Sequence, residues 1–484
     1  MKKRVNQKNN IDTLKKILKI ATIIFLSTSP IFDCVFFHSR ITTLIRILII
    51  LIILITTIFL YQDSRKKVKW LILYYFLCTI YLIINYYHNQ NFISLFPNNF
   101  NYNFVSELFT ILKLIMLVTL IFSLYYQKFN KKDYILIFKI WTLIITLSII
   151  ITNIFKISYS SYGEFLIKYN IFEWNKNIYY VNSASRAYFV YANQVALTLI
   201  ILLIIFSYIF IKDNIKAIIY IFLISISMLM LGTRVSSLGG LLVFIFILIS
   251  YIFFVIIKKE KFNKKSLLLI FIIIMWIVIL PISPYQNRNI ELNYYQNNEE
   301  SYLNESNIDD NSINNNLTKQ EYIELNANPN LIPNFFYKVY YSYEYDPDFW
   351  INFINNTEES KINYRYMEKS IIKRIIKINN NKYDILFGIS NTRVQNVVNL
   401  EQDFLVQYYA FGIIGMIILL IVYPLILLYT LFKLFKEFNF NNFINILLIV
   451  IFIFCSYLTG NILNSMSMII VFSVLSSYVL CLKE

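Results

Sequence analysis

The side chains in this sequence that could do chemistry are few and widely spaced. In the segment 361–378, Arg365, Lys369, Lys373 and Lys377 recur every four residues. At helical spacing they form one basic stripe. Met367, Ile371, Ile375 and Ile378 form an apolar stripe beside it. Such a helix either lies on a membrane or bundle with solvated lysines, or offers its cations to a phosphate. Arginine suits the second task because its planar fork binds phosphate oxygens bidentately. Arg234 follows Gly232-Thr233 where two apolar runs meet, and reads as an anion binder or as an interfacial, snorkelling cation. Glu401 and Asp403 stand in Leu400-Glu401-Gln402-Asp403-Phe404, where polar sequence gives way to apolar sequence. A carboxylate there is either a helix-start partner or, with a raised pKa, a general base. Arg186 and Arg393 complete the candidate cations. The two histidines, His38 and His88, and the four cysteines have no metal-ligand spacing, so neither a metal nor a disulfide framework is expected. No cofactor is called for.

The elements that must position these residues are membrane spans. Of 484 residues 58% are hydrophobic and 15% charged, against about 25% charged in soluble proteins. This excludes a soluble globular chain and a disordered one. Runs of about 20 apolar residues occur at 17–37, 42–61, 69–87, 104–126, 133–153, 192–211, 215–232, 236–257, 266–283, 404–431, 443–460 and 463–481. The expected fold is therefore an all-α polytopic membrane protein with about 12 transmembrane helices. The first run lacks a small-residue cleavage site after it and reads as a retained helix.

Charge gives the orientation. Every even-numbered junction is basic: Arg65, Lys66, Lys67 and Lys69, then Lys128, Lys131 and Lys132, then Lys212 and Lys216, then Lys258 to Lys265, then Lys433 and Lys436. Both termini are then cytoplasmic, and most of the net charge of +16 reports topology. Nucleic-acid binding is not implied. Three regions follow: helices 1–9 in 1–283, a large extracytoplasmic loop over 284–403, and helices 10–12 in 404–484. The loop is acidic and Asn-rich over 284–359, where Arg288, Lys319 and Lys338 are the only cations. It turns basic over 360–403 and carries the amphipathic helix there. A shorter outside loop, 154–191, holds Tyr162-Gly163, Trp174 and Arg186.

In this order the pieces resemble the O-antigen ligase and polymerase superfamily of polysaccharide-assembly membrane proteins. The likeness rests on Ser29-Pro30-Ile31-Phe32-Asp33, Tyr191-Ala192-Asn193-Gln194, Gly232-Thr233-Arg234, Arg365-Tyr366 opening the amphipathic helix, Leu386-Phe387-Gly388, and Glu401-Gln402-Asp403 followed by Gly412-Ile413-Ile414-Gly415. Six of the eight glycines lie in or directly after these motifs, which matters in a glycine-poor chain. Ligases of that family carry a His before the last motif. Glu401 stands there instead, which favours a polymerase or a related ligase. The resemblance implies a glycosyltransferase of the cytoplasmic membrane that moves a glycan from an undecaprenyl-diphosphate donor to a sugar or lipid-glycan acceptor. Arg234, Arg365, Lys369, Arg393 and Arg186 would then bind substrate, with Glu401 or Asp403 as base. A lipid-linked oligosaccharide flippase has the same span count, although no internal repeat supports a transporter. A polyprenyl-phosphate mannosyltransferase type would need a large first outside loop, which this sequence lacks.

Overall fold

The computed structural model describes residues 2–35, 40–95, 101–176, 182–212, 214–259, 262–286, 318–329, 331–358, 362–397, 400 and 402–481. Among these, all regular elements are helical, and strand pairing is limited to isolated bridges such as Tyr159 with Leu166. The helices are α1 (Lys2–Val35), α2 (Arg40–Leu60), α3 (Gln62–His88), α4 (Phe104–Tyr126), α5 (Lys131–Ile154), α6 (Ala192–Ile211), α7 (Ala217–Leu231), α8 (Gly240–Lys258) and α9 (Leu267–Ile279). The long loop contributes α10 (Lys319–Asn326), α11 (Pro347–Asn356), α12 (Tyr364–Asn379), α13 (Asp384–Phe387) and α14 (Asn391–Val397). The chain closes with α15 (Asp403–Leu420), α16 (Val422–Lys436), α17 (Phe440–Leu458) and α18 (Met466–Cys481).

Nine helices among the described residues are long and apolar enough to cross a membrane. The expected segments 215–232, 266–283 and 463–481 form shorter apolar helices, Ala217–Leu231, Leu267–Ile282 and Met466–Leu480. The expected single run 404–431 is divided. It breaks between α15 and α16, and within α15 Gly412 leaves helical geometry at φ 63°, ψ −175°. Pro424 is tolerated because it sits in the first turn of α16, where its missing N–H would have no helical partner.

Helix α6 is apolar on every side, and its membrane-length window is wholly buried. A helix without a polar face belongs inside a bundle, and α6 touches α7, α8 and α17. Helices α4 and α18 pack closely. Buried serines of α18, including Ser473, Ser476 and Ser477, allow that approach. In α1, Pro30 cannot donate to the carbonyl one turn earlier. The Trp141 indole of α5 donates to that Leu26 oxygen instead, at 2.7 Å.

The described part of the long loop folds on its own aromatic core. Trp350 of α11 is fully buried against Tyr337 and Phe349, and its indole donates to the Tyr341 carbonyl at 2.7 Å. Met367, Ile371 and Ile375 of α12 are buried. The amphipathic helix thus buries its apolar stripe in protein. Asp346 joins the acidic and basic halves of the loop: it is buried and receives Arg374 in a fork, Nε at 2.7 Å and Nη2 at 3.0 Å. Two cations of the acidic half are paired within that half, Lys319 with Asp348 and Lys338 with Glu324. Most of the Asn-rich stretch 295–330, with Arg288 and His38, lies outside the described residues.

Candidate functional site

Several buried polar residues lie at the end of the bundle where the loop attaches. There the C-terminal ends of α1, α3, α7 and α17 meet the N-terminal ends of α2, α4, α6, α8, α15 and α18. Two polar networks build this end.

The first ties the loop to α3 and α4. The buried Glu107 carboxylate accepts from the Thr392 backbone N–H and hydroxyl, both at 2.6 Å. Arg393 is buried, donates to the Asn89 side chain at 2.5 Å and backbone at 3.1 Å, and stacks over the Phe92 ring at 4.1 Å. Burial lowers its pKa to about 10, so it stays cationic at neutral pH. The buried Asp384 lies 2.9 Å from His88 Nε2 and accepts from Asn379 at 2.7 Å. Tyr81 donates to the carbonyls of Phe387 and Phe411, and Asn85 donates to that of Phe387.

These last contacts grip a backbone junction. Gly388 and Gly412 both have positive φ, and the segments around them lie against each other. The Ile389 N–H reaches the Tyr409 carbonyl at 2.9 Å, and the Ser390 N–H that of Ala410 at 3.1 Å. Two motifs separate in sequence, Leu386-Phe387-Gly388 and Gly412-Ile413-Ile414-Gly415, thus meet face to face.

The second network surrounds the turn between α17 and α18. Asp403 is buried, and its Oδ2 accepts the backbone N–H groups of Ile462 at 2.6 Å and Leu463 at 2.8 Å. Gln194 donates to the Asn461 carbonyl and accepts from the Ser465 hydroxyl at 3.0 Å. Ser467 donates to Asp33 at 2.6 Å, and Arg46 binds both, at 3.1 and 2.6 Å. A cavity of about 40 Å³ opens beside them, lined in part by Asp33, Tyr191, Gln194 and Ser467. It has room for water.

The sequence candidates therefore separate by what they touch. Arg234 is exposed. It follows the left-handed Gly232, whose carbonyl accepts from Tyr162 at 3.1 Å, and it precedes a wide turn capped reciprocally by Thr233 and Ser236. Arg365 is exposed and Lys369 half-buried on α12. Arg186 donates to the carbonyls of Val190 and Gly163, so it organises the shorter loop. Arg393 is likewise engaged by protein, as is Asp403. Glu401 lies outside the described residues. Among the described residues no three His, Cys, Asp or Glu side chains cluster as a metal site.

Sequence reasoning missed Arg46, Glu107 and the pairing of His88. Arg46 had a visible signal, since an arginine inside an apolar run requires a partner. Its partner, Asp33, was legible only as part of the motif ending α1. Arg46 is 1% exposed as a residue. Arg46→Ala removes the buried cation that Asp33 and Ser467 share and should cost about 3–5 kcal/mol. Thermal unfolding of the detergent-solubilised variant would show this as a lowered midpoint; an unchanged midpoint would mean that water screens the pair.

Fold and site define a polytopic helical membrane protein whose long loop is anchored through its basic second half to one polar end of the bundle. A family profile described as O-antigen ligase like membrane protein matches residues 15–483, and the chain belongs to that family. The family places it in polysaccharide assembly, among glycosyl-transferring proteins that act on lipid-linked glycans and acceptors. No curated protein and no solved structure matches the chain.

Proposed function

We propose that this protein transfers a glycan from an undecaprenyl-diphosphate donor to a sugar hydroxyl on an acceptor, at the outer face of the cytoplasmic membrane. In this reading the chain crosses twelve times, with both termini inside. The acceptor is a second lipid-linked repeat unit if the protein is a polymerase, or another carrier if it is a ligase. The bond from the anomeric carbon to the diphosphate oxygen breaks, and a bond to the acceptor oxygen forms. The acceptor proton goes to a base, for which Glu401 is the choice. The diphosphate leaves with an added negative charge, which fixed cations stabilise.

The observation that supports this reading is the disposition of α12. Its apolar side is buried in protein, while Arg365, Lys373 and Lys377 are exposed and Lys369 is half-buried. Arg365 and Lys369, with Arg234, are the proposed diphosphate contacts. Arg186 and Arg393, already held by protein groups, shape the site from behind.

Arg365→Ala and Arg234→Ala should each lower polymer by about a hundredfold or more at unchanged protein level, measured by immunoblot of the membrane fraction beside a gel of the polysaccharide. Lipid-linked repeats should accumulate on the outer leaflet. Unchanged polymer in both variants removes the assignment, and accumulation on the inner leaflet points to a flippase.

A further inference from the structure

The structure has an open groove of about 300 Å³ between the loop and α15, lined by Lys373, Ile376, Asp384, Ile385, Tyr408 and Tyr409. That is the lower end of the size range of small-molecule sites, about 300–1,000 Å³. We infer that this groove binds a neutral sugar ring of the glycan substrate. The inference rests on the glycan-transfer reading and adds a sugar subsite to it.

Three features of the groove match a pyranose. Its wall is aromatic: the Tyr408 and Tyr409 rings are 5.3 Å apart and inclined at 58°. Aromatic faces bury the C–H side of a sugar, while polar groups meet its hydroxyls. Its floor is set by Asp384. The Asp384 side chain is 1% exposed, with one oxygen 2.9 Å from His88 Nε2 and the other accepting from Asn379 at 2.7 Å. It cannot swing away, so it holds that side of the groove in a fixed shape. Its lip is cationic through Lys373, which belongs to the same stripe as Arg365 and Lys369. A diphosphate on that stripe would put the attached sugars within reach of the groove. The groove floor is also rigid. Asp384 begins α13, which runs into the Gly388–Gly412 junction, and Tyr409 carries the carbonyl that closes it.

The test uses the full-length protein in a phosphocholine detergent, since sugar-based detergents would compete. The probes are the methyl glycosides of glucose, galactose and N-acetylglucosamine, read by saturation-transfer NMR on their ring protons. At least one probe should give a signal with wild type. Tyr408→Ala should weaken it about tenfold, the loss of one aromatic contact. Ile385→Trp should do the same by filling the groove from a position 51% exposed, where the larger side chain leaves the fold intact. Tyr408→Phe and Arg365→Ala should keep the signal. No signal from any of the three probes, or an undiminished signal in both groove variants, overturns the inference. The polymer made by Arg365→Ala cells reports the transfer reading separately, so the two can fail independently.

Discussion

Glu401→Gln is expected to lower polymer formation by about 10²–10⁴-fold, the contribution of a positioned general base. The change keeps the size and hydrogen-bonding length of the side chain but removes the lone pair that takes the acceptor proton. Protein level and thermal midpoint should stay at wild-type values, and lipid-linked repeats should accumulate. The neighbouring carboxylate gives the contrast. Asp403 holds two backbone N–H groups of the turn after α17. Asp403→Ala leaves both without a partner, at about 1–3 kcal/mol each. Its loss of polymer should therefore follow loss of folded protein, whereas that of Glu401→Gln should not. Wild-type polymer length and amount from Glu401→Gln cells would take the base role away from this position.

Gly412→Ala is expected to remove most of the folded protein from the membrane. Gly412 has φ 63° and ψ −175°, a region almost confined to glycine and worth about 1–3 kcal/mol of strain in another residue. An added Cβ would also collide with the Leu386 carbonyl and stand 2.5 Å from the Phe387 nitrogen. Both are backbone groups and cannot turn aside. Gly388→Ala meets the same obstacle from the other side, against the Ala410 carbonyl and 2.5 Å from the Phe411 nitrogen, at φ 77°. The junction between the loop and α15 would have to open in either variant. Gly239→Ala is the control, because its nearest neighbour lies 3.7 Å away. Yield of monodisperse protein after detergent extraction decides the matter. Near-normal yield from Gly412→Ala would mean that the two segments separate easily.

Much of the architecture was legible in the sequence because it follows from local physics. A run of apolar residues long enough to span lipid must be a helix, since lipid leaves no other partner for the backbone. Nine such runs form helices of spanning length among the described residues, and three more form shorter ones. The four-residue spacing of Arg365, Lys369, Lys373 and Lys377 likewise fixed one helix with a basic side, and α12 has that form. The division at Gly412 was not legible, because hydropathy averages over a window and cannot see one residue's φ. Nor was the length of the helix after it.

The roles of individual charges were decided by tertiary structure alone. Arg393 and Asn89 lie 304 positions apart in the chain, and Asp33 and Ser467 lie 434 apart. Which of two similar arginines is engaged by protein, like Arg393, and which faces outward, like Arg234, depends on which helix ends meet. The sequence by itself determined that there are helices, where their polar ends lie and how those ends are charged, because hydrophobicity and periodicity act within a few turns. Only the packing of the bundle decided which of those charges serve the fold, because a buried charge must find its partner wherever the chain brings one.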